Sequence, residues 1–192
     1  MSAERFAAAF ARRAELAKRT AGDAEVLARF AARFVATLKG GGTLFFAGNG
    51  GSAADAQHVA TEYVVRYAKD RRALAAIALT TDTSLLTAAG NDMGFENVFA
   101  RQVEALCRKG DLLVLHSTSG KSENLLRAAK AAKAKGVGVV ALLGKDGGSL
   151  KSAVDDSYVV RSDVGSEIQE TQLAIEHLIV EVVEAELIDQ GS

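Results

Sequence analysis

Three short segments hold the residues that could do chemistry. In the first, Ala47–Tyr63 (AGNGGSAADAQHVATEY), an apolar run Thr43-Leu44-Phe45-Phe46-Ala47 meets the turn Gly48-Asn49-Gly50-Gly51-Ser52. A helical pattern carrying His58 and Glu62 follows at once. Glycines let backbone N–H groups approach an anion, and the first turn of a helix leaves donors unpaired there. His58 and Glu62 stand four residues apart, on one helix face a turn inward from that anion. A metal-ligand or acid–base pair beside a phosphate suits chemistry on a phosphorylated small molecule.

The second segment is His116-Ser117-Thr118-Ser119-Gly120-Lys121-Ser122, between an apolar strand and a helix start. Its four hydroxyls and one glycine can bind phosphate oxygens through O–H and backbone N–H groups. A capped helix start, Ser122 with Glu123 in the first turn, would explain one hydroxyl and leave three unexplained. The third segment opens the last helix, where Gln169 and His177 are eight residues apart and share a face. With His58 and Glu62 they make two His, one Glu and one Gln, a set able to form a tetrahedral zinc site from two helices. The plainer alternative is that each histidine is packed in the core. His116, at a strand end, is a pocket wall at most. Asn91-Asp92 is either a polar helix stop or an amide and a carboxylate suited to sugar hydroxyls. Arg66, four residues after Glu62, would form a solvated ion pair with it or contact a phosphate.

Two nucleotide motifs are excluded by spacing. Ala53 stands where a dinucleotide G-x-G-x-x-G needs its third glycine, and Leu115 stands where a P-loop ending in Gly120-Lys121-Ser122 needs its first.

These residues must be held by an alternating chain. Helical periodicity over 3–19 and 23–39 gives two leading helices, ended by Gly40-Gly41-Gly42. Strands are predicted at 43–47, 74–79, 112–116, 137–143 and 157–160. Helices are predicted at 53–67, near 83–89 with a break at Asn91-Asp92, at 96–108 and 122–135, briefly after Gly147-Gly148, and at 168–188. Alternation of this kind predicts an α/β three-layer sandwich with a roughly five-stranded parallel sheet and extra N-terminal helices. Ligands then bind at the carboxyl ends of the strands. The last helix is apolar on more than one face, which fits burial against the sheet or in an oligomer interface.

The chain of 192 residues is long enough for one domain with a full core and short for two, so 1–192 reads as a single unit with a core at 43–188. A formal net charge of -1, with both signs interspersed, gives no field for nucleic acid or an anionic membrane. The lone Cys107 excludes an internal disulfide, fits a reducing compartment and reads as a buried packing residue. With no visible signal peptide or spanning run, a soluble cytoplasmic protein is expected.

At these residues the chain resembles the sugar isomerase (SIS) domain family, and within it the phosphoheptose isomerases. The matching elements are AGNGGSAADAQH-x-x-x-E (47–62), TTDTS (80–84), GND (90–92), F-x-RQVEAL (99–106), GDLLVLHSTSGKS (110–122) and IQE-x-x-x-x-x-x-H (168–177). The resemblance runs from about residue 43 to 188 and the leading helices suit it. It implies a flavodoxin-like SIS fold and the interconversion of sedoheptulose 7-phosphate with D-glycero-D-manno-heptose 7-phosphate, feeding heptose and lipopolysaccharide precursor synthesis. Asn49, Gly50, Gly51, Ser52, Asn91 and Asp92 would contact the substrate, with Glu62 and Gln169. Ser117, Thr118, Ser119 and Ser122 would hold its phosphate. His58, Glu62, Gln169 and His177 match the family's zinc ligands, one Zn2+ per subunit, and Glu62 and His177 its acid–base pair. Moving a proton between C1 and C2 through an enediol needs one base and one acid. Zinc would polarise the carbonyl oxygen. The family also implies a homotetramer with sites between subunits.

One position departs from the pattern. Some phosphoheptose isomerases carry an Asp three residues before the Gln of IQE, where this chain has Ser166, with Asp163 nearby. Two other readings belong to the same family: a non-catalytic regulator that associates with the replication initiator, and an isomerase of another phosphosugar. The initiator-associating relatives lack the Glu and the final His, and this chain has both Glu62 and His177.

Overall fold

The computed structural model describes residues 2–188; Met1 and residues 189–192, the ends of the expected domain, lie outside them. Five strands, β1 (Leu44–Gly48), β2 (Ala76–Ala78), β3 (Leu112–Ser117), β4 (Gly138–Gly144) and β5 (Asp156–Val160), form one sheet in the order β2-β1-β3-β4-β5. Every neighbouring pair is parallel, as strands joined by helical crossovers require. Alternate side chains of the buried strands enter two cores. Leu44, Phe46, Leu112, Val114, Val140 and Leu142 pack on one face, where helices α2 (Ala24–Lys39), α3 (Gly51–Val64) and α8 (Gly165–Ile188) lie. Phe45, Leu113, Leu115, Val139, Ala141 and Leu143 pack on the other, against α5 (Val98–Leu106) and α6 (Glu123–Ala134). The remaining helices are α1 (Ala3–Ala21), α4 (Thr83–Met93) and α7 (Leu150–Ala153).

This strand order sets the site. The chain leaves β1 toward β2, then returns to the other side of β1 as β3. The reversal point therefore lies between β1 and β3, where open α/β sheets bind ligands. The glycine turn follows β1 and the hydroxyl turn follows β3, so the two candidate loops stand side by side.

Some boundaries differ from the sequence reading. The Asn91-Asp92 pair does not stop α4, which continues to Met93. The break falls at Gly94, whose φ of 84° is a conformation glycine adopts without a Cβ clash. A 3-10 turn at Phe95–Asn97 then leads into α5. The helix expected over 53–67 begins earlier, at Gly51, and ends at Val64. There Arg71 takes the late carbonyls, donating to Glu62 O and Tyr63 O at 2.5 and 2.8 Å. The strand expected over 74–79 is paired only at Ala76–Ala78, as an edge strand beside β1. α8 starts three residues early, at Gly165. Its apolar residues fall on more than one face. Ile175, Ile179, Val180 and Val183 are buried, while Leu178 and Val182 stay exposed along an open groove of about 570 Å³ between α1, α2 and α8.

Candidate functional site

The glycine turn is shaped by close approach. A Cβ on Gly48 would lie 2.5 Å from Ser52 O, and Gly50 has a φ of 58°. The turn feeds α3 through Ser52 N–H donating to Asn49 O and Ala53 N–H to Gly50 O. The hydroxyl turn is shaped likewise. Gly120 has a φ of 64°, and its backbone packs so tightly on Gly147 that a Cβ there would overlap the Gly147 carbonyl oxygen. Gly120 N–H donates to Ser117 Oγ at 3.0 Å, and Gly120 O accepts from Leu150 N–H at 2.9 Å, so the start of α7 braces the turn from behind. Ser122 stands at the N-cap of α6 and makes no side-chain capping bond. A capped helix start therefore accounts for none of the four hydroxyls.

The two turns are tied by a residue the sequence reading did not single out. Asn124 is buried, and its amide pairs reciprocally with that of Asn49, at 2.8 and 3.0 Å. Between the turns lies a pocket of about 80 Å³ lined by Asn49, Ser52, His116, Ser117, Thr118, Ser119, Ser122 and Gln169. Seven of these eight belong to the expected site set, and all offer hydrogen-bonding groups. A small polar hollow at the ends of adjacent parallel strands has the dimensions and donors for one phosphate.

The histidine–carboxylate cluster lies two turns along α3. His58 Nε2 is 3.0 Å from His177 Nε2 and 3.4 Å from Glu62 Oε1. The three residues offer ligand atoms all within 4.8 Å of one another. Donors about 2.1 Å from a tetrahedral ion stand about 3.4 Å apart, so this set fits zinc through three ligands. The cluster is half open: the His58 side chain is 49% exposed and that of Glu62 19%. Tyr67 stacks on His177 at 5.5 Å and donates its hydroxyl to Glu181 Oε1.

α3 and α8 run side by side, so each holds one end of both parts. Gln169 meets Gly51 at one end, its amide so close that a Cβ on Gly51 would lie 2.5 Å from Gln169 Nε2. His177 meets His58 about 12 Å further along the axis, eight residues at the helical rise. The structure thus brings together His58, Glu62 and His177, and places Gln169 in the phosphate-sized pocket. Gly50 and Gly51 stand at the rim, exposed. Asn91 and Asp92 are exposed on α4, bonded to each other at 2.7 Å, and are not among the residues lining the pocket. Arg66, expected to pair with Glu62 or to contact a phosphate, pairs with Asp70 at 2.6 Å and is not among the residues lining the pocket. Ser166 and Asp163 are both exposed at the start of α8. Burial pushes the Cys107 thiol up to about 12, as its packing role implies.

Beneath both parts is a polar layer that the sequence reading passed over. His116 is more than a pocket wall: its Nε2 lies 3.0 Å from Glu176 Oε1, and both side chains are 1% exposed. Asp55, Tyr63 and Gln172 flank this pair, and burial raises the carboxyl of Asp55 and the phenol of Tyr63. Glu176 carried a signal. It falls in phase with Ile168, Gln172, Ile175, Ile179 and Val183, which places an acid on the core face of a helix.

In sequence and fold the chain is similar to proteins of one family. The SIS domain family matches residues 6–144. A phosphoheptose isomerase of Akkermansia muciniphila is 50% identical over 167 residues, 87% of each chain. Among solved structures, a phosphoheptose isomerase from Neisseria gonorrhoeae superposes with a TM-score of 0.89 at 40% identity, over 95% of this chain and 98% of its own. One from Francisella tularensis gives 0.91 at 34%, with the same coverage. On this agreement of sequence and fold, the chain belongs to the phosphoheptose isomerase family of SIS-domain proteins.

Proposed function

We propose that this chain interconverts D-sedoheptulose 7-phosphate and D-glycero-D-manno-heptose 7-phosphate through an enediol, and so supplies heptose for lipopolysaccharide precursors. The observation that carries the reading is the convergence of His58, Glu62 and His177 beside a hollow lined by five hydroxyl residues. The phosphate sits among Ser117, Thr118, Ser119 and Ser122, held by O–H groups and by backbone N–H groups at the start of α6. Asn49, Ser52 and Gln169 face the adjoining sugar atoms. The reacting C1–C2 end then extends toward the cluster.

Glu62 takes the proton from carbon and returns it to the neighbouring carbon, and His177 exchanges the proton on oxygen. A Zn2+ ion held by His58, Glu62 and His177 would act as a Lewis acid toward the carbonyl oxygen. Gln169 serves as a fourth ligand only if its amide leaves Gly51, and in its observed place it suits a substrate contact. Ligation by zinc would lower the basicity of Glu62 and His177, so each would serve as acid or base only while not holding the metal.

A homotetramer with shared sites belongs to the same reading. It is supported by the open apolar groove between α1, α2 and α8 and by Phe6 and Phe10, exposed on α1. In such an assembly the exposed Asn91 and Asp92 are available to a neighbour's site. A cytoplasmic location accords with the free Cys107 and with the lack of any described helix long and apolar enough to cross a membrane.

The decisive assay is turnover of sedoheptulose 7-phosphate before and after chelation. Activity lost to a chelator and restored by Zn2+ is the expected result. Turnover indifferent to chelation would remove the metal from the reading, and absence of turnover with zinc supplied would remove the substrate.

A further inference from the structure

One buried bond joins the two parts of the site from below. Glu176 immediately precedes His177 on α8, and His116 immediately precedes Ser117, whose Oγ closes the hydroxyl turn on Gly120. The bond between them, 3.0 Å from His116 Nε2 to Glu176 Oε1, is shielded from water. The second polar atom of each side chain, His116 Nδ1 and Glu176 Oε2, is buried with no protein partner among the described residues. The orientation of each therefore rests on this bond and on packing, including the Phe46 ring 6.2 Å from the imidazole.

Successive helix residues point about 100° apart. With Glu176 tied to the end of β3, His177 is directed sideways onto α3, where it meets His58. Rotation or sliding of α8 would break the bond and leave a buried carboxylate and imidazole unpaired, which is costly in a low-dielectric interior.

We propose that His116 and Glu176 are a positioning pair: their bond locks α8 to β3, so that His177 is presented to His58 and Glu62 while the turn from Ser117 keeps its binding shape. This rests on the isomerase reading above. Glu176 is not among the residues lining the hollow, and His116, which is, acts in this role through its bond to Glu176. They act through His177 and through the hydroxyl turn.

The test compares the wild-type protein with Glu176→Gln, Glu176→Leu and the double variant His116→Leu/Glu176→Leu. Two readouts are used: steady-state kinetics on sedoheptulose 7-phosphate, and calorimetric titration of the metal-free protein with Zn2+ alone. Gln keeps an oxygen to accept the imidazole N–H, so Glu176→Gln should stay within about threefold in kcat. Glu176→Leu should lose about 10–100-fold in both kcat and zinc affinity, the usual scale for a group that orients a ligand from outside. The double variant removes both polar groups, so it leaves no unpaired buried charge and should fold. It should nevertheless stay as impaired as Glu176→Leu. A folded double variant with wild-type kcat and zinc affinity would overturn the proposal. If the wild-type protein itself binds no zinc and turns over no substrate, the isomerase reading fails first and takes the positioning role with it.

Discussion

The two faces of the sheet bury polar groups in opposite ways. On the α5–α6 face the buried polar side chains are satisfied. The Gln102 amide donates to Leu79 O and Val98 O, and Asp111 accepts from the N–H groups of Thr43 and Arg108. On the α3–α8 face, Asp55, Tyr63, His116, Gln172 and Glu176 carry every buried side-chain atom found without a partner among the described residues. An unpaired buried donor or acceptor costs about 1–3 kcal/mol. One face is therefore a scaffold, and the other trades stability for polar groups next to the candidate His58–Glu62–His177 cluster. Such local conflict between chemistry and packing is what functional sites show.

The largest expected effect falls on that second face. Glu62→Gln removes the proposed base while keeping shape and should lower kcat by about 10²–10⁴-fold, measured on sedoheptulose 7-phosphate with zinc present. Near-normal turnover would remove Glu62 from the chemistry. Next comes the ion pair of Arg71 and Glu184, with side chains 0% and 2% exposed, which closes the far end of the same face. Arg71→Met strands the carboxylate and should cost about 3–5 kcal/mol in urea unfolding. A loss below 1 kcal/mol would mean that water reaches the pair.

The pH dependence of this pair has a definite sign. Burial raises the Glu184 carboxyl, but the bond from Arg71 and the N–H groups of Tyr67 and Ala68 outweigh it, so the folded value lies below the ordinary one. A group depressed on folding adds stability above its unfolded value, about 4.3 for Glu, and that stability is lost as pH falls through the folded value. Wild-type unfolding midpoints should therefore drop below about pH 4.3. Glu184→Gln should remove that part of the slope, and an unchanged slope would assign it to other carboxylates.

How much of this was legible in the sequence differs between the same two faces. The scaffold was readable because periodicity reports it: strands of Val and Leu bounded by glycines, and helices with one apolar stripe. The two turns were readable because glycine and hydroxyl residues cluster locally, and the His58–Glu62 pair because i,i+4 spacing fixes a shared face. The Asn49–Asn124 tie and the His116–Glu176 bond were not, because their partners are 75 and 60 residues apart and meet only through strand order. Arg66 had two acids at i,i+4 spacing, Glu62 before it and Asp70 after it, and spacing alone does not choose between them; Glu62 pairs with His58 and Arg66 with Asp70.

The smallest effects offer the cleanest contrast, because one substitution can be made on both faces. Gln102 and Gln172 are buried to the same degree, 4% and 1% exposed. Gln102→Met removes the side-chain amide that donates to the Leu79 and Val98 carbonyls and should destabilise by about 1–3 kcal/mol. Gln172→Met removes an amide whose oxygen and nitrogen both lack partners among the described residues. Methionine fills similar volume without that desolvation penalty, so stability should rise by about 1 kcal/mol. Urea midpoints at constant m-value report both changes. If Gln172→Met destabilises as Gln102→Met does, ordered water satisfies the polar layer, and the two faces are equally paired by different means. If the signs are opposite, the unpaired layer is a real cost, carried only on the face that holds the chemistry.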